Sequence, residues 1–187
     1  MTRLKNTKLA AARRKGSLVR ITRRLERGKA DGYVVGESEQ WLLLLLVDGG
    51  ITYAGFQAFR IRDVTSIDVP SPRAAFYEAV LRKRRLRRPT VPKIDLSSTQ
   101  ALIRTAGKRC PLITIHREKA DSGVCHIGQV TAVSSTSMSL LEVTPDAEWE
   151  PTPTAYRLNE VTRVDFGGPY EDALALIAGT AKRAVGN

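Results

Sequence analysis

The sequence predicts a mainly β protein: two tandem five-stranded, strongly bent antiparallel barrels, each with short flanking helices. Three observations lead there. The β-rich segments are short and closely spaced, a basic tract with two prolines divides the chain near its middle, and a set of motifs recurs in order on either side of it. Strands this short, with no long helix between them, do not make parallel βαβ units. A small antiparallel barrel accommodates them by curling until its edges meet.

The recurrence is clearest near the end of each half. Ile61-Arg62-Asp63-Val64-Thr65-Ser66-Ile67-Asp68 lies over Leu158-Asn159-Glu160-Val161-Thr162-Arg163-Val164-Asp165 at an offset of 97. Upstream, Gly32-Tyr33-Val34 matches Gly128-Gln129-Val130 at an offset of 96, and residues 18–23 resemble residues 112–117. Residues 76–81 are echoed more loosely by residues 170–176. Four motifs in one order read as an internal duplication.

The elements follow in turn. Residues 7–15 are good helix formers and Gly16 stops them; residues 98–106 begin at a serine cap and stop at Gly107. First strands fall at 18–21 and 112–115, and second strands open with Gly32 and Gly128. Third strands are 41–47 and 138–143, the former closed by the turn Asp48-Gly49-Gly50. Fourth strands are expected at 51–56 and 156–158, and fifth strands at 63–69 and 160–166. Each half ends in a helix, 72–81 with Pro72 in its first turn and 170–178 closed by Gly179. The first of these carries an apolar stripe for docking.

Charge is distributed unevenly. The 187 residues carry 30 Lys+Arg against 19 Asp+Glu, a net charge of +11, with an ordinary globular 42% of hydrophobic residues. Residues 1–30 hold eleven basic residues and one acidic one, and residues 82–93 hold seven basic residues and no acidic one. The intervening and following segments are mildly acidic. Like charges repel inside a compact unit, and the prolines at 89 and 92 favour extended backbone. The tract therefore marks a boundary: residues 1–81 are a first module with a basic N-terminal helix, 82–96 a basic linker, and 97–187 a second module. Two cysteines are too few for a disulfide scaffold. The opening residues are polar and basic rather than a secretory signal, and the longest apolar run is seven residues, so a cytoplasmic protein with no membrane partner is expected.

A helix followed by five short bent strands, with a glycine early in the second, resembles the Sm-like fold, an SH3-like barrel. The two segments at 61–67 and 158–164 are compatible with the pattern of its last strands. The first module also resembles a group of bacterial proteins of unknown function, through Gly32-Tyr33-Val34, Trp41-Leu42-Leu43-Leu44 and Arg60-Ile61-Arg62-Asp63-Val64. The resemblance implies two small barrels and, for relatives that form rings, binding of single-stranded RNA. The glycine-containing loop that such relatives use is not found between strands four and five of either half.

Function is expected in the basic tracts. Arg13, Arg14, Lys15, Arg23, Arg24, Arg27, Arg82, Lys83, Arg84, Arg85, Arg87 and Arg88, together with Arg20 and Lys29, are candidates for a phosphate-binding surface of salt-sensitive affinity. Arginine suits this because its guanidinium engages phosphate as a fork. RNA and DNA are equally open as partners, and a solvated, solubilising tract is the alternative. A second class is a scaffold whose barrels bind a protein partner or a second copy. Trp41, Leu42, Leu44 and Leu46, from a run that is apolar on both faces, are its candidate interface. Trp149, in an acidic loop with two prolines, is a smaller docking candidate. Cys110, His116, Cys125 and His126 offer zinc-type donors, but no CxxC pair anchors them and adjacent Cys125 and His126 point to opposite faces of a strand. No metal or cofactor is assigned. Ser134 to Ser137 lack a neighbouring base, and the Gly-Gly pairs at 49–50 and 167–168 lack phosphate-loop spacing, so no enzyme is expected.

Overall fold

The computed structural model describes residues 2–25 and 28–181. The chain divides into two compact units, Met1–Ser98 and Thr99–Asn187. In unit one, α1 (Thr2–Lys15) leads into β1 (Leu18–Arg23), β2 (Lys29–Glu37), β3 (Trp41–Val47) and β4 (Tyr53–Arg60). A single 3-10 turn (Ile61–Asp63) then precedes β5 (Val64–Asp68) and α2 (Ala74–Lys83). Unit two contains α3 (Thr99–Arg109), β6 (Ile113–His116), β7 (Cys125–Val133), β8 (Ser137–Glu142), β9 (Thr154–Arg157), β10 (Arg163–Phe166) and α4 (Pro169–Ala178).

The strand order is β5-β1-β2-β3-β4 in unit one and β10-β6-β7-β8-β9 in unit two, and every ladder within a unit is antiparallel. The protein is thus mainly β and antiparallel. Closure is where it departs from expectation: among the described residues no ladder joins β4 to β5 or β9 to β10, so neither sheet is a closed barrel. The 3-10 turn carries the chain from one sheet edge at β4 to the other at β5, so these consecutive strands do not pair with each other.

Local chemistry accounts for the elements. Gly32 pairs with Val19 and Leu46, and a Cβ there would lie 2.5 Å from the Leu45 carbonyl oxygen. Gly128 stands the same way: its Cβ would lie 2.2 Å from the Leu141 oxygen. Only glycine lets these strands approach so closely. The β2–β3 register shifts between Val34 and Gly36, and the β7–β8 register between Val130 and Ala132, the positions 96 residues on. Such a bulge bends the strand and adds twist.

Several elements differ from the sequence expectation. β9 starts two residues earlier than expected, β10 three later, and α2 is shifted by two. Three further differences are more telling. The third-strand turn is longer than Asp48-Gly49-Gly50, because Asp48 accepts hydrogen bonds from the amide and hydroxyl of Thr52. The fourth strand therefore starts at Tyr53 rather than Ile51. Gly107 does not stop α3, which runs on to Arg109. A Cβ at Gly107 would sit 2.7 Å from Val130, so this glycine serves helix–sheet packing. Finally, α1 begins five residues earlier than expected.

The first core gathers Leu9 and Ala12 of α1 with Val19, Val34, Leu42, Leu44, Phe59, Val64 and Ile67 from all five strands. Leu96 lies over Gly36, where a Cβ would come within 2.9 Å of it, so the chain after α2 covers part of its own sheet. In unit two α4 packs through Leu174 on Leu112 and Val143. No helix among the described residues is long and apolar enough to cross a membrane.

Candidate nucleic-acid interface

Twenty-one of the 30 Lys and Arg residues belong to unit one, against nine acidic residues. The last turn of α1 supplies Arg13, Arg14 and Lys15, all exposed, at the helix end whose dipole favours cations. Leu9 and Ala12 anchor this helix in the core, while Lys5 and Lys8 donate to the carbonyls of Val64 and Ile67 on β5. Arg13 makes a long, exposed pair with Glu37 at 3.3 Å, which leaves it open to exchange.

The second tract is pinned rather than free. Arg82 and Lys83 end α2, and the helix closes in a Schellman arrangement: Leu86 N–H donates to Leu81 at 3.1 Å and Arg85 N–H to Arg82 at 3.0 Å. Arg85 occupies the left-handed position of that motif, with φ 55°. Glycine is the residue favoured there, because a Cβ crowds the carbonyl. Arg84 donates to the carbonyl of Gly50 at 2.6 Å, fixing the tract on the β3–β4 turn. Arg88 lies over Tyr33, its guanidinium carbon 3.6 Å from the ring centre. Burial raises the Tyr33 phenol pKa and Arg88 works against that rise. An Arg88 nitrogen also lies 3.7 Å from where a Cβ of Gly16 would be. The tract and the end of α1 meet here, through Arg88 and Gly16.

Not every candidate joins this surface. Arg23 is 4% exposed and stacks on Phe59 at 4.6 Å, so it belongs to the rim of the core. Arg20 is held by Asp31 through bonds of 2.7 and 3.0 Å, and Ser71 donates to the same carboxylate at 2.6 Å. The Asp31 bond raises the Arg20 pKa. Arg24 reaches the buried Asp63 at 3.7 Å and donates to the Arg62 carbonyl. Arg27 lies outside the described residues. Lys29, Arg82, Lys83, Arg84, Arg85, Arg87 and Arg88 are exposed. The apolar stripe expected on the helix at 72–81 is present as Ala74, Tyr77 and Leu81, while Phe76 on the same helix is 61% exposed. Its spacing was the available signal: Ala74, Tyr77 and Leu81 form the buried face, and Phe76 falls off it.

The proposed strand interface is corrected. Trp41, Leu42 and Leu44 are fully buried and Leu46 is partly buried. Leu42 and Leu44 face the core under α1, and Trp41 is covered by Arg60, 4.5 Å above its ring. Burial pushes the Arg60 guanidinium pKa down to about 10. Trp149 is also engaged, donating its indole N–H to Ala178 at 3.1 Å.

Of the zinc-type donors, both histidines are engaged elsewhere and both cysteines are free thiols. His116 lies opposite Cys125 across β6 and β7, with Nε2 3.2 Å from Asp165. His126 Nδ1 lies 3.1 Å from Glu142 and 2.8 Å from Tyr156, whose hydroxyl donates to Glu142 at 2.5 Å. Burial opposes ionisation of Glu142, but the hydrogen bonds from Tyr156, Thr154 and His126 outweigh it and hold the carboxyl below its usual range. Among the described residues no three His, Cys, Asp or Glu side chains are grouped to hold a metal ion. The sequence carried no signal for this Glu142–His126–Tyr156 cluster, which joins three strands by register alone.

No protein-family model matches the chain, and neither the curated proteins nor the solved structures contain a significant match to it.

Proposed function

We propose that this is a noncatalytic nucleic-acid-binding protein whose ligand lies on unit one, across the basic end of α1 and the 82–93 tract. The observation that carries the reading is the stacking of Arg88 on Tyr33 beside Gly16, which makes one surface of two basic segments. Arg85 adds to it. An arginine standing where the backbone favours glycine is a strained choice, and strain of this kind marks functional positions. Exposed Phe76 adds an aromatic face of the kind on which bases stack.

In the same reading the two units are Sm-like bent sheets descended from one duplicated module. The matching strand orders, the bulges 96 residues apart and the paired close-approach glycines support this. The test is anisotropy of labelled RNA and DNA, single-stranded and duplex, at low salt. Replacing Arg13, Arg14 and Lys15 with Ala, and separately Arg82, Lys83 and Arg87, should each weaken binding of the same oligonucleotide. Loss in neither variant would overturn the shared surface.

A further inference from the structure

Unit two carries an exposed feature that is independent of the basic surface. Two adjoining hollows, of about 540 and 550 Å³, share Gln129, Trp149, Thr180 and Ala181. Leu141, Pro151 and Pro153 line one, and Leu112, Ala175 and Leu176 line the other. Trp149 is fixed between them by its bond to Ala178. On α4, Leu176 is 81% exposed and Ile177 74% exposed, so the apolar surface continues past the groove.

Among the described residues the charges at the groove have one sign: Glu150 and Asp172 line it, and Asp146 and Glu148 stand in the same loop as Glu150. None of these four carboxylates has a cationic partner among the described residues. A neutral apolar partner would desolvate Glu150 and Asp172 without pairing them, which is costly. An acidic partner would be repelled. A basic one pairs them and is steered to the groove.

We propose that this groove binds a partner-protein segment that is basic and carries apolar side chains, with its cations at Glu150 and Asp172 and its apolar groups against Trp149 and Leu176. The probe is a fluorescein-labelled dodecapeptide of equal Lys and Leu content, titrated into the full chain by anisotropy. Counterparts with Glu for Lys, or Ser for Leu, are the controls. Binding of the Lys-Leu peptide alone is expected, weakened at least tenfold by Leu176→Ser and by Glu150→Lys with Asp172→Lys. Leu176 is exposed, so its replacement leaves the fold intact.

Four outcomes would overturn the proposal. These are absence of binding, binding untouched by both variants, and binding by the Ser-for-Leu peptide that equals the parent's. The fourth is a change of occupant. Tighter peptide binding after Lys182→Glu with Arg183→Glu would make the chain's own end the occupant, and self-association abolished by Leu176→Ser would make it a second copy.

Discussion

The guanidinium of Arg23 stacks over the ring of Phe59 at 4.6 Å. Ninety-four residues on, Arg117 lies 5.2 Å from the ring of Tyr156, the residue standing where Phe59 stands in unit one. Arg23 ends the first strand of its unit and Arg117 directly follows the first strand of the other, and each aromatic lies on the fourth. An acidic residue from the segment before the fifth strand lies at each site: Asp63 reaches Arg24, the neighbour of Arg23, at 3.7 Å, and Glu160 reaches Arg117 itself at 3.4 Å. The two units thus share a packing arrangement as well as a strand order.

Arg23 should accordingly act on stability and not on ligand affinity. Arg23→Ala should destabilise the fold by about 2 kcal/mol, the scale of a desolvated cation–aromatic contact. Urea unfolding measures this. Nucleic-acid affinity should change less than twofold under conditions where the variant is folded. A large loss of affinity at unchanged stability would return Arg23 to the binding surface.

The buried leucines test the corrected role of β3. Leu44→Ala should cost about 2–5 kcal/mol through lost burial and the cavity left behind. The oligomeric state of the folded variant by light scattering should equal that of the native chain. An interface role predicts the reverse: unchanged unfolding and a changed assembly.

Arg85 separates stability from binding. Arg85→Gly relieves the left-handed backbone, and should leave stability unchanged or raise it by about 1 kcal/mol. The same change should weaken nucleic-acid binding severalfold. Opposite movements in thermal unfolding and anisotropy are the expected signature. Weaker folding with unchanged binding would show that the arginine is there for the helix end alone.

The Glu142 cluster gives unit two an acid-sensitive contribution. Its folded pKa lies below the unfolded value near 4.3, so the stabilisation is present above that value. It is lost as pH falls through the folded pKa. Glu142→Gln should lower stability at neutral pH by about 1 kcal/mol, the scale of one hydrogen bond. It should also flatten the decline in stability between about pH 5 and pH 3. An unchanged acid limb in urea titrations would show that Glu142 contributes nothing through its charge.

Much of the architecture was legible because it rests on local chemistry. Gly32 and Gly128 announced the close strand approach, and the recurrence at 61–68 and 158–165 announced two units of like topology. What the sequence hid was non-local. Arg88 stacks on a ring of β2 and comes close to Gly16, which no periodicity reports. Residues 82–93 read as a basic linker from their charge, yet Arg84 and Arg88 fix the tract to a carbonyl of the β3–β4 turn and a ring on β2. Arg23 reads like its neighbour Arg24, and only strand alternation turns one inward. Leu42 and Leu44 could face core or partner equally well until α1 supplied the cover.

Salt dependence of binding by the unaltered chain tests the central claim most directly. Anisotropy of a labelled oligonucleotide would be followed from about 0.05 to 0.2 M salt, where each phosphate contact lowers log K by about 0.7–0.9 per decade of salt. Binding at low salt should weaken linearly on that scale, and replacing Arg82, Lys83 and Arg87 with Ala should make the slope shallower. A flat titration at low salt, or a slope unchanged by that replacement, would contradict a nucleic-acid surface built on this tract.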